Sequence, residues 1–258
     1  MTFNLRYNNP GDGPNSWPHR IDRVMETIRA YQPLVLGTQE GYFDMLQELH
    51  PKLDEYDWIG EGRFGAHENE HCAIFYKKVD LDLQQYGQFW LSESPEEVAS
   101  ISWNSGFPRV CTWAEFEHRE SRKRFIVYNT HLDHQSQQAR DLGSKVIWKY
   151  IAAHRMEYSL PIILMGDFNS RPTDLPIRFL RGESELQGLQ TWLKDTYAAL
   201  SGPIGLTAHD FKGGEVGEPI DYIFVSPDVE VLEAVVDRRQ IDGVYPSDHY
   251  PVVAQLQL

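Results

Sequence analysis

Short apolar runs rich in β-branched and aromatic residues recur along the whole chain, each bounded by polar residues. Runs of this length predict β-strands, and runs that are apolar throughout predict strands buried on both faces. A chain with this many buried strands must pack them into sheets that cover one another. The runs are residues 1–5, 34–38, 73–76, 110–116, 125–130, 162–165, 220–225 and 252–256.

Helical periodicity is confined to two clear segments. Residues 18–31 place Ile21, Val24 and Ile28 on one face, and residues 135–158 repeat apolar side chains at the same spacing. Many strands with few helices favour an α/β or α+β fold in which sheets pack together and helices lie outside. A length of 258 residues without repeats or linker-like segments predicts one domain over residues 1–258.

Composition restricts the partners. The 24 basic and 38 acidic residues leave a net charge of −14, which disfavours sequence-independent coating of nucleic acid. No apolar stretch reaches the roughly 18 residues of a membrane helix, and no signal-peptide pattern precedes the first strand, so we expect no membrane partner. Two cysteines form neither a disulfide framework nor a four-cysteine zinc site, which favours a cytoplasmic location. No obligate protein partner is evident.

Polar side chains stand at the ends of the apolar runs with unusual regularity. Any one of them has a plain explanation as a turn former or a helix cap. Strand ends gather at a common rim in packed sheets, so the whole set predicts a single polar cleft. Its members are Asn4, Glu40, Glu70, His71, Asn129, His131, Asp167, Asn169, Asp221, Asp248 and His249.

The chemistry of this set favours phosphate esters. The chain has no Walker loop, Gly-x-Ser-x-Gly elbow or His-Glu-x-x-His pattern. Oxygen ligands predominate, which suits Mg²⁺, with Mn²⁺ as the alternative, and the scarcity of compact His and Cys groups disfavours a zinc hydrolase. Histidines beside carboxylates suit proton transfer near neutral pH. Together these residues fit metal-assisted, in-line attack of water on a phosphate ester.

Six motifs spread over the whole chain carry a family resemblance. They are TFNLR (2–6), QE (39–40), NTHL (129–132), GDFN (166–169), IDYI (220–223) and SDHYPV (247–252). With these motifs in this order, the chain resembles members of the endonuclease/exonuclease/phosphatase superfamily, which includes deoxyribonuclease I-like nucleases and inositol-phosphate phosphatases. The resemblance implies a four-layer α/β sandwich, with two mixed β-sheets packed face to face and helices on the outer faces.

The resemblance also implies a metal site and a charged pair. Glu40 would be the principal Mg²⁺ ligand, assisted by Asn4 and Asp248. His249, oriented by Asp221, would bind a phosphoryl oxygen or move a proton.

Further roles follow from the same resemblance. Asp167 would align or deprotonate the attacking water, and Asn169 would bind a phosphate oxygen. His131, paired with Glu70, would stabilise developing negative charge, and Arg109 would lie near the phosphate.

One question about the mechanism stays open at the level of sequence. The general base is either Asp167 or the His249–Asp221 pair. We expect each histidine to be held by its own carboxylate, Asp221 for His249 and Glu70 for His131, which would raise the histidine pKa.

The substrate is also open. Arg6 stands where repair endonucleases of the superfamily carry aspartate, which weakens that assignment. An aromatic-rich segment at 87–113 is either a substrate-stacking surface or loop packing. Nuclease and small-molecule phosphatase activities fit equally well, and the different-class alternative is a catalytically silent member that acts as a binding module. The segment's aromatic residues are Phe89, Trp90, Trp103, Phe107 and Trp113.

Overall fold

The chain begins and ends with a strand, and every helix lies between the first strand and the last. The computed structural model describes all 258 residues. The strands are β1 Thr2–Asn4, β2 Val35–Gln39, β3 Gly41–Tyr42, β4 Tyr56–Ile59, β5 Glu70–His71, β6 Ile74–Lys77, β7 Leu81–Trp90, β8 Val110–His118, β9 Arg124–His131, β10 Ile162–Asp167, β11 Lys194–Asp195, β12 Asp221–Val225, β13 Glu230–Val236 and β14 Val252–Gln257. The helices are α1 Trp17–Tyr31, α2 Phe43–Leu49, α3 Gln137–Tyr158 and α4 Leu175–Leu180, with short 3₁₀ turns at Pro10–Asn15, His50–Lys52 and Thr196–Ala199.

The strands form two six-stranded sheets and one small ribbon. The first sheet has the order β13-β14-β1-β2-β6-β4, the second has the order β11-β12-β10-β9-β8-β7, and β3 pairs with β5. Each large sheet contains one parallel pair, β1 with β2 and β9 with β10, among antiparallel neighbours. Both sheets are therefore mixed, as the family resemblance implies.

Apolar side chains divide the molecule into four layers. Trp17 and Ile28 of α1 and Leu46 of α2 share a buried cluster with Phe3 and Phe75 of the first sheet. A larger cluster of 33 buried residues joins both sheets to α3 and α4. The order of layers is helix, sheet, sheet, helix, which confirms the predicted fold class.

All eight apolar runs lie in strands, and both periodic segments are helical. Helix α3 begins at Gln137 rather than residue 135 because the Ser136 side chain caps it by accepting a hydrogen bond from the Ala139 N–H. The longest strands that the pattern missed, β4, β7 and β13, all lie at sheet edges. An edge strand is buried less completely, so its sequence lacks the continuous apolar run.

Neither cysteine is paired: Cys72 and Cys111 are free and buried. No helix combines the length and the apolar character that crossing a bilayer would require.

The two sheets approach closely at Gly37 of β2. A Cβ atom there would lie 2.7 Å from the Asn129 side chain and 2.9 Å from the Met165 methyl group. Asn129 belongs to β9 and Met165 to β10, so both contacts come from the opposite sheet. The absent side chain at residue 37 therefore sets how closely the sheets pack.

We expect Gly37→Ala to lower the free energy of unfolding by about 1–3 kcal/mol, because the added methyl overpacks the sheet interface. Chemical denaturation followed by tryptophan fluorescence measures the change. Gly143→Ala is the matched control. Gly143 lies in α3, where alanine favours helix, and its Cβ would meet Leu91 at 3.5 Å, an ordinary contact distance. Equal stability changes in the two variants would contradict this account of the interface.

Candidate active site

One rim of the sandwich collects polar side chains from the second sheet. Strands β9 and β10 run parallel, and their last residues, His131 and Asp167, stand opposite each other. Antiparallel β12 begins with Asp221 opposite Asp167. A Cβ on Gly166 would lie 2.1 Å from the Thr130 carbonyl oxygen, so only glycine fits immediately before Asp167. Three predicted site residues are thus adjacent at one sheet end.

The first sheet reaches the same rim through Asn4. Its amide nitrogen donates to Glu40 Oε1 and to Asp167 Oδ2, both at 3.0 Å. The other oxygen of Glu40 accepts the Tyr7 backbone N–H at 3.0 Å. Asn4 therefore links Glu40, which directly follows β2 of the first sheet, to Asp167 of the second sheet.

The predicted His249–Asp221 contact is present. The His249 Nδ1–H donates to Asp221 Oδ2 at 2.9 Å, and both side chains are buried. Burial alone would lower the pKa of His249, but the charge and hydrogen bond of Asp221, with Asp167 nearby, raise it well above its ordinary value. These contacts therefore favour the protonated, positively charged ring of His249.

The pKa of Asp167 is also raised, but here the shift favours the neutral form of the side chain. Burial, followed by the negative charge of Asp221, raises the pKa of Asp167 to about 7. Its Oδ1 accepts the Asn169 backbone N–H at 2.9 Å. A carboxyl group with a pKa near neutrality can exchange a proton at physiological pH.

The expected pairing of His131 with Glu70 is wrong in two respects. The His131 Nδ1 lies 4.0 Å from Glu70 Oε2, too far for a hydrogen bond, and makes no other. Burial, with the positive charge of Arg109 adding to it, holds the pKa of His131 well below its ordinary value rather than raising it. Glu70 instead accepts two hydrogen bonds from Arg63, at 2.9 and 3.1 Å.

Asn169 determines the tautomer of His131. The Asn169 amide nitrogen donates to the Leu132 carbonyl and to His131 Nε2, both at 3.0 Å. Because Nε2 accepts, the neutral ring carries its proton on Nδ1. That N–H is a donor without a protein acceptor, in the small cleft that His131 lines with Glu40 and Arg109.

Arg109 lines this cleft beside Glu40 and His131. Its Nε is 3.4 Å from Asp133 Oδ2, and its Nη2 is 2.8 Å from His134 Nδ1. Asp133 also accepts the Gly106 backbone N–H, which fixes the loop before Arg109. Asp133, which is buried, and His134 thus hold the guanidinium of this cleft residue in place.

The aromatic segment mostly packs. Phe89 and Trp90 are buried, and half-buried Trp113 contacts His154. Phe107 differs, because it is 40% exposed and its ring covers the Arg63 guanidinium at 4.4 Å. Only this aromatic ring of the five is exposed beside the cleft.

Sequence reasoning missed Arg20, which is fully buried in α1. Its guanidinium donates to the backbone carbonyls of Leu5, Arg6, Asn15 and Pro246, and so ties the segment after Asn4 to the segment before Asp248. Burial lowers the pKa of Arg20 to about 10, which leaves it charged at neutral pH. Its place on the apolar helix face, four residues before Val24, was the available signal.

Arg6 brings a second cation to the rim. It forms two hydrogen bonds to Asp12, at 2.9 and 3.1 Å, and its Nε lies 3.7 Å from Asp248 Oδ2. The residue that departs from the repair-enzyme pattern therefore lies beside a predicted metal ligand.

The donor set fits a hard divalent cation. Burial raises the pKa of Asp248, and the charge of Glu40 raises it further, so these carboxylates repel each other. Asp167, Asp221 and His249 form another cluster whose ligand atoms lie within 4.8 Å of one another. Arg6 and His249 lie among four carboxylates, and a divalent ion would offset part of the negative charge of that group. The four are Glu40, Asp167, Asp221 and Asp248.

Backbone strain accompanies the site. Arg6, Glu40 and Asn169 adopt left-handed conformations with φ of 56°, 62° and 45°. Such conformations cost about 1–3 kcal/mol in residues other than glycine and persist where the surroundings enforce them. At the rim these conformations set the directions in which the three side chains leave the backbone, although other non-glycine residues elsewhere in the chain, such as Gln32 and Ser159, share them.

The chain matches a known protein family and is similar to several solved structures. Residues 1–249 match the family described as Endonuclease/Exonuclease/phosphatase family. The chain is similar to a family structure from Bacteroides vulgatus (33% identity, TM-score 0.91, covering 100% of this chain and 97% of that one). It is also similar to the mannosyl-6-phosphatase of Bacteroides thetaiotaomicron (29% identity, TM-score 0.90, 100% and 98% covered).

A curated relative is longer. Drosophila melanogaster Nocturnin is 27% identical over 94% of this chain, which spans 42% of that protein's length.

We expect His249 to stay protonated at pH 7 in EDTA-treated protein, and Asp221→Asn to shift its titration to lower pH. Side-chain ¹⁵N NMR across a pH series measures this. A raised folded-state pKa stabilises the fold most below the unfolded value near 6.5 and loses that contribution as pH rises through the folded pKa. Asp12→Asn, which removes a rim carboxylate bound to Arg6, should leave the titration unchanged; a neutral His249 at pH 7 would refute the assignment.

Proposed function

Because the chain belongs to the endonuclease/exonuclease/phosphatase family, we propose that it is a divalent-metal-dependent hydrolase of phosphate esters. Phosphate-ester hydrolysis is the common activity of the family and its neighbours, including the mannosyl-6-phosphatase. The observation that carries the proposal is the junction of the two sheets, where Asn4 contacts Glu40 and Asp167 at once. The junction joins the predicted metal ligands to the predicted water-activating group.

Mg²⁺, with Mn²⁺ as the alternative, would be held by the carboxylates of Glu40 and Asp248. Asn4 would join them only through its Oδ1, which accepts the Arg6 N–H at 2.9 Å in this structure. Bound there, the ion supplies positive charge that polarises phosphoryl oxygens. The repulsion between Glu40 and Asp248, which adds to burial in raising the pKa of Asp248, supports the assignment.

Asp167 is the general base in this proposal. A pKa of about 7 leaves a large fraction ionised at neutral pH, ready to take a proton from water. The His249–Asp221 pair is less suitable as a base because Asp221 raises the pKa of His249 and so favours the ring that already carries both protons.

Charge on the phosphoryl oxygens is then met by donors. His249 offers a cation, Arg109 offers a guanidinium on the cleft wall, and the unpaired His131 Nδ1–H offers a neutral donor. Asn169 supports His131 rather than the phosphate in this proposal, because both of its amide N–H groups already bond to His131 Nε2 and the Leu132 carbonyl. Preorganised donors of this kind act most strongly as negative charge develops.

Small phosphorylated molecules are the substrates we favour over long nucleic acids. The net charge of −14 opposes a polyanion, and the similarity to the mannosyl-6-phosphatase extends over the whole chain. The binding-module alternative is less favoured, because a buried set of unneutralised carboxylates is costly to retain without chemistry.

An activity panel tests the proposal. It contains p-nitrophenyl phosphate, bis-p-nitrophenyl phosphate, mannose 6-phosphate, inositol phosphates, and single- and double-stranded nucleic acid, each with Mg²⁺, Mn²⁺ or EDTA. We expect turnover of at least one small phosphate ester with a metal and none with EDTA. Absence of turnover throughout would favour the binding module.

We expect Glu40→Gln to weaken Mn²⁺ binding and metal-activated turnover, because it removes a hard, charged oxygen donor. Isothermal titration calorimetry and the metal dependence of kcat measure the two effects. Glu48→Gln is the control, since Glu48 contacts Trp17 Nε1 away from the cleft. Full turnover by metal-stripped wild-type protein would rule the metal site out.

We expect Asp167→Asn to lower kcat by ~10²-fold or more, the scale of losing general-base assistance. The acidic limb of the pH–rate profile should disappear with it, because that limb reports the carboxyl group with a pKa of about 7. Thermal denaturation of the same variant shows whether the substitution also lowers the stability of the fold. An unchanged kcat with reduced stability would make Asp167 a structural residue.

A further inference from the structure

A short segment from the loop before β12 lies alongside the residues that bear the site. Residues 207–209 run antiparallel to residues 248–250, with Ala208 opposite His249. The His209 N–H donates to the Asp248 carbonyl, and the Tyr250 N–H donates to the Thr207 carbonyl, both at 2.7 Å. These two short hydrogen bonds flank His249 on either side.

The side chain of Thr207 makes a second attachment. Its hydroxyl oxygen accepts the backbone N–H groups of Ile220 at 3.0 Å and Asp221 at 3.2 Å. Thr207 is fully buried, so water cannot replace these bonds without rearrangement. One residue therefore holds the backbone of Asp221 through its hydroxyl and the segment bearing His249 through its carbonyl.

This double attachment matters because the two partners come from different sheets. Asp221 begins β12 of the second sheet, and His249 precedes β14 of the first. Their 2.9 Å contact depends on the relative position of two backbones that no sheet hydrogen bond joins. Thr207 lies between those backbones and bonds to both segments.

We propose that Thr207 is a positioning residue that sets the alignment of His249 with Asp221. The inference rests on the proposed function, in which this pair stabilises phosphoryl charge. Loss of the hydroxyl leaves two buried N–H groups without an acceptor and frees the start of β12 to shift. A displacement of about 1 Å at reacting groups can cost ~10²-fold in rate.

Thr207→Val removes the acceptor at nearly constant volume, and Thr207→Ser keeps it. We expect the valine variant to lose ~10-fold or more in kcat with little change in KM, and the serine variant to stay within about 3-fold of wild type. Should the valine variant fail to fold, Thr207→Cys retains a weak acceptor and should give an intermediate kcat.

A second measurement does not depend on activity. The hydrogen-bonded Nδ1 proton of His249 should give a slowly exchanging NMR signal in the wild-type and Thr207→Ser proteins. The same signal should broaden or vanish in Thr207→Val. If wild-type protein hydrolyses nothing in the panel, the proposed function fails, while this signal still tests the positioning role.

Thr191→Val is the matched control. Thr191 is also buried, and its hydroxyl donates to the carbonyls of Phe179 and Leu180, which line no part of the cleft. We expect this variant to lose thermal stability and to keep both kcat and the His249 signal. A Thr207→Val protein that behaves in the same way would overturn the proposal and leave Thr207 with a purely structural role.

Discussion

Hydrogen bonds between buried amides of opposite sheets fix how the two halves of this molecule meet. The Asn129 amide nitrogen, on the second sheet, donates to the carbonyls of Thr38 and Ala73 at 2.9 Å, and its oxygen accepts from Gln39 at 2.7 Å. Apolar packing alone tolerates sliding, whereas a buried amide without its partners is costly. This contact therefore sets one register, and the site at the nearby rim depends on that register.

Electrostatics at the rim follows from the same junction. Carboxylates delivered by two sheets meet in a region that excludes water, so each raises the cost of ionising the next. Two cations reduce this repulsion: His249 lies beside Asp221, and Arg6 lies beside Asp248. It keeps Asp167 near its point of half-ionisation, which suits proton transfer more than stability.

Sequence patterns predicted the parts of the structure whose causes are local. The interior strands were readable because burial on both faces demands continuous apolar runs, and residues such as Asp167 and His249 were readable as polar ends of those runs. The hydrogen-bond partner of a side chain, in contrast, depends on how distant segments fold. Glu70 lies 4.0 Å from His131, yet it bonds to Arg63, seven residues away along a loop whose course no periodicity reveals. Thr207 gave no signal either, because a lone threonine in a glycine-rich loop resembles any turn residue.

The left-handed backbone of Glu40 has an evolutionary consequence. Glycine would relieve the strain of a φ of 62°, but it would leave the Asn4 amide and the Tyr7 N–H without the acceptor that the Glu40 carboxylate provides. Replacement at this position therefore exchanges backbone strain for unpaired polar groups and discards the metal ligand we propose. Laboratory evolution of a more heat-resistant protein would need a screen that measures turnover as well as survival.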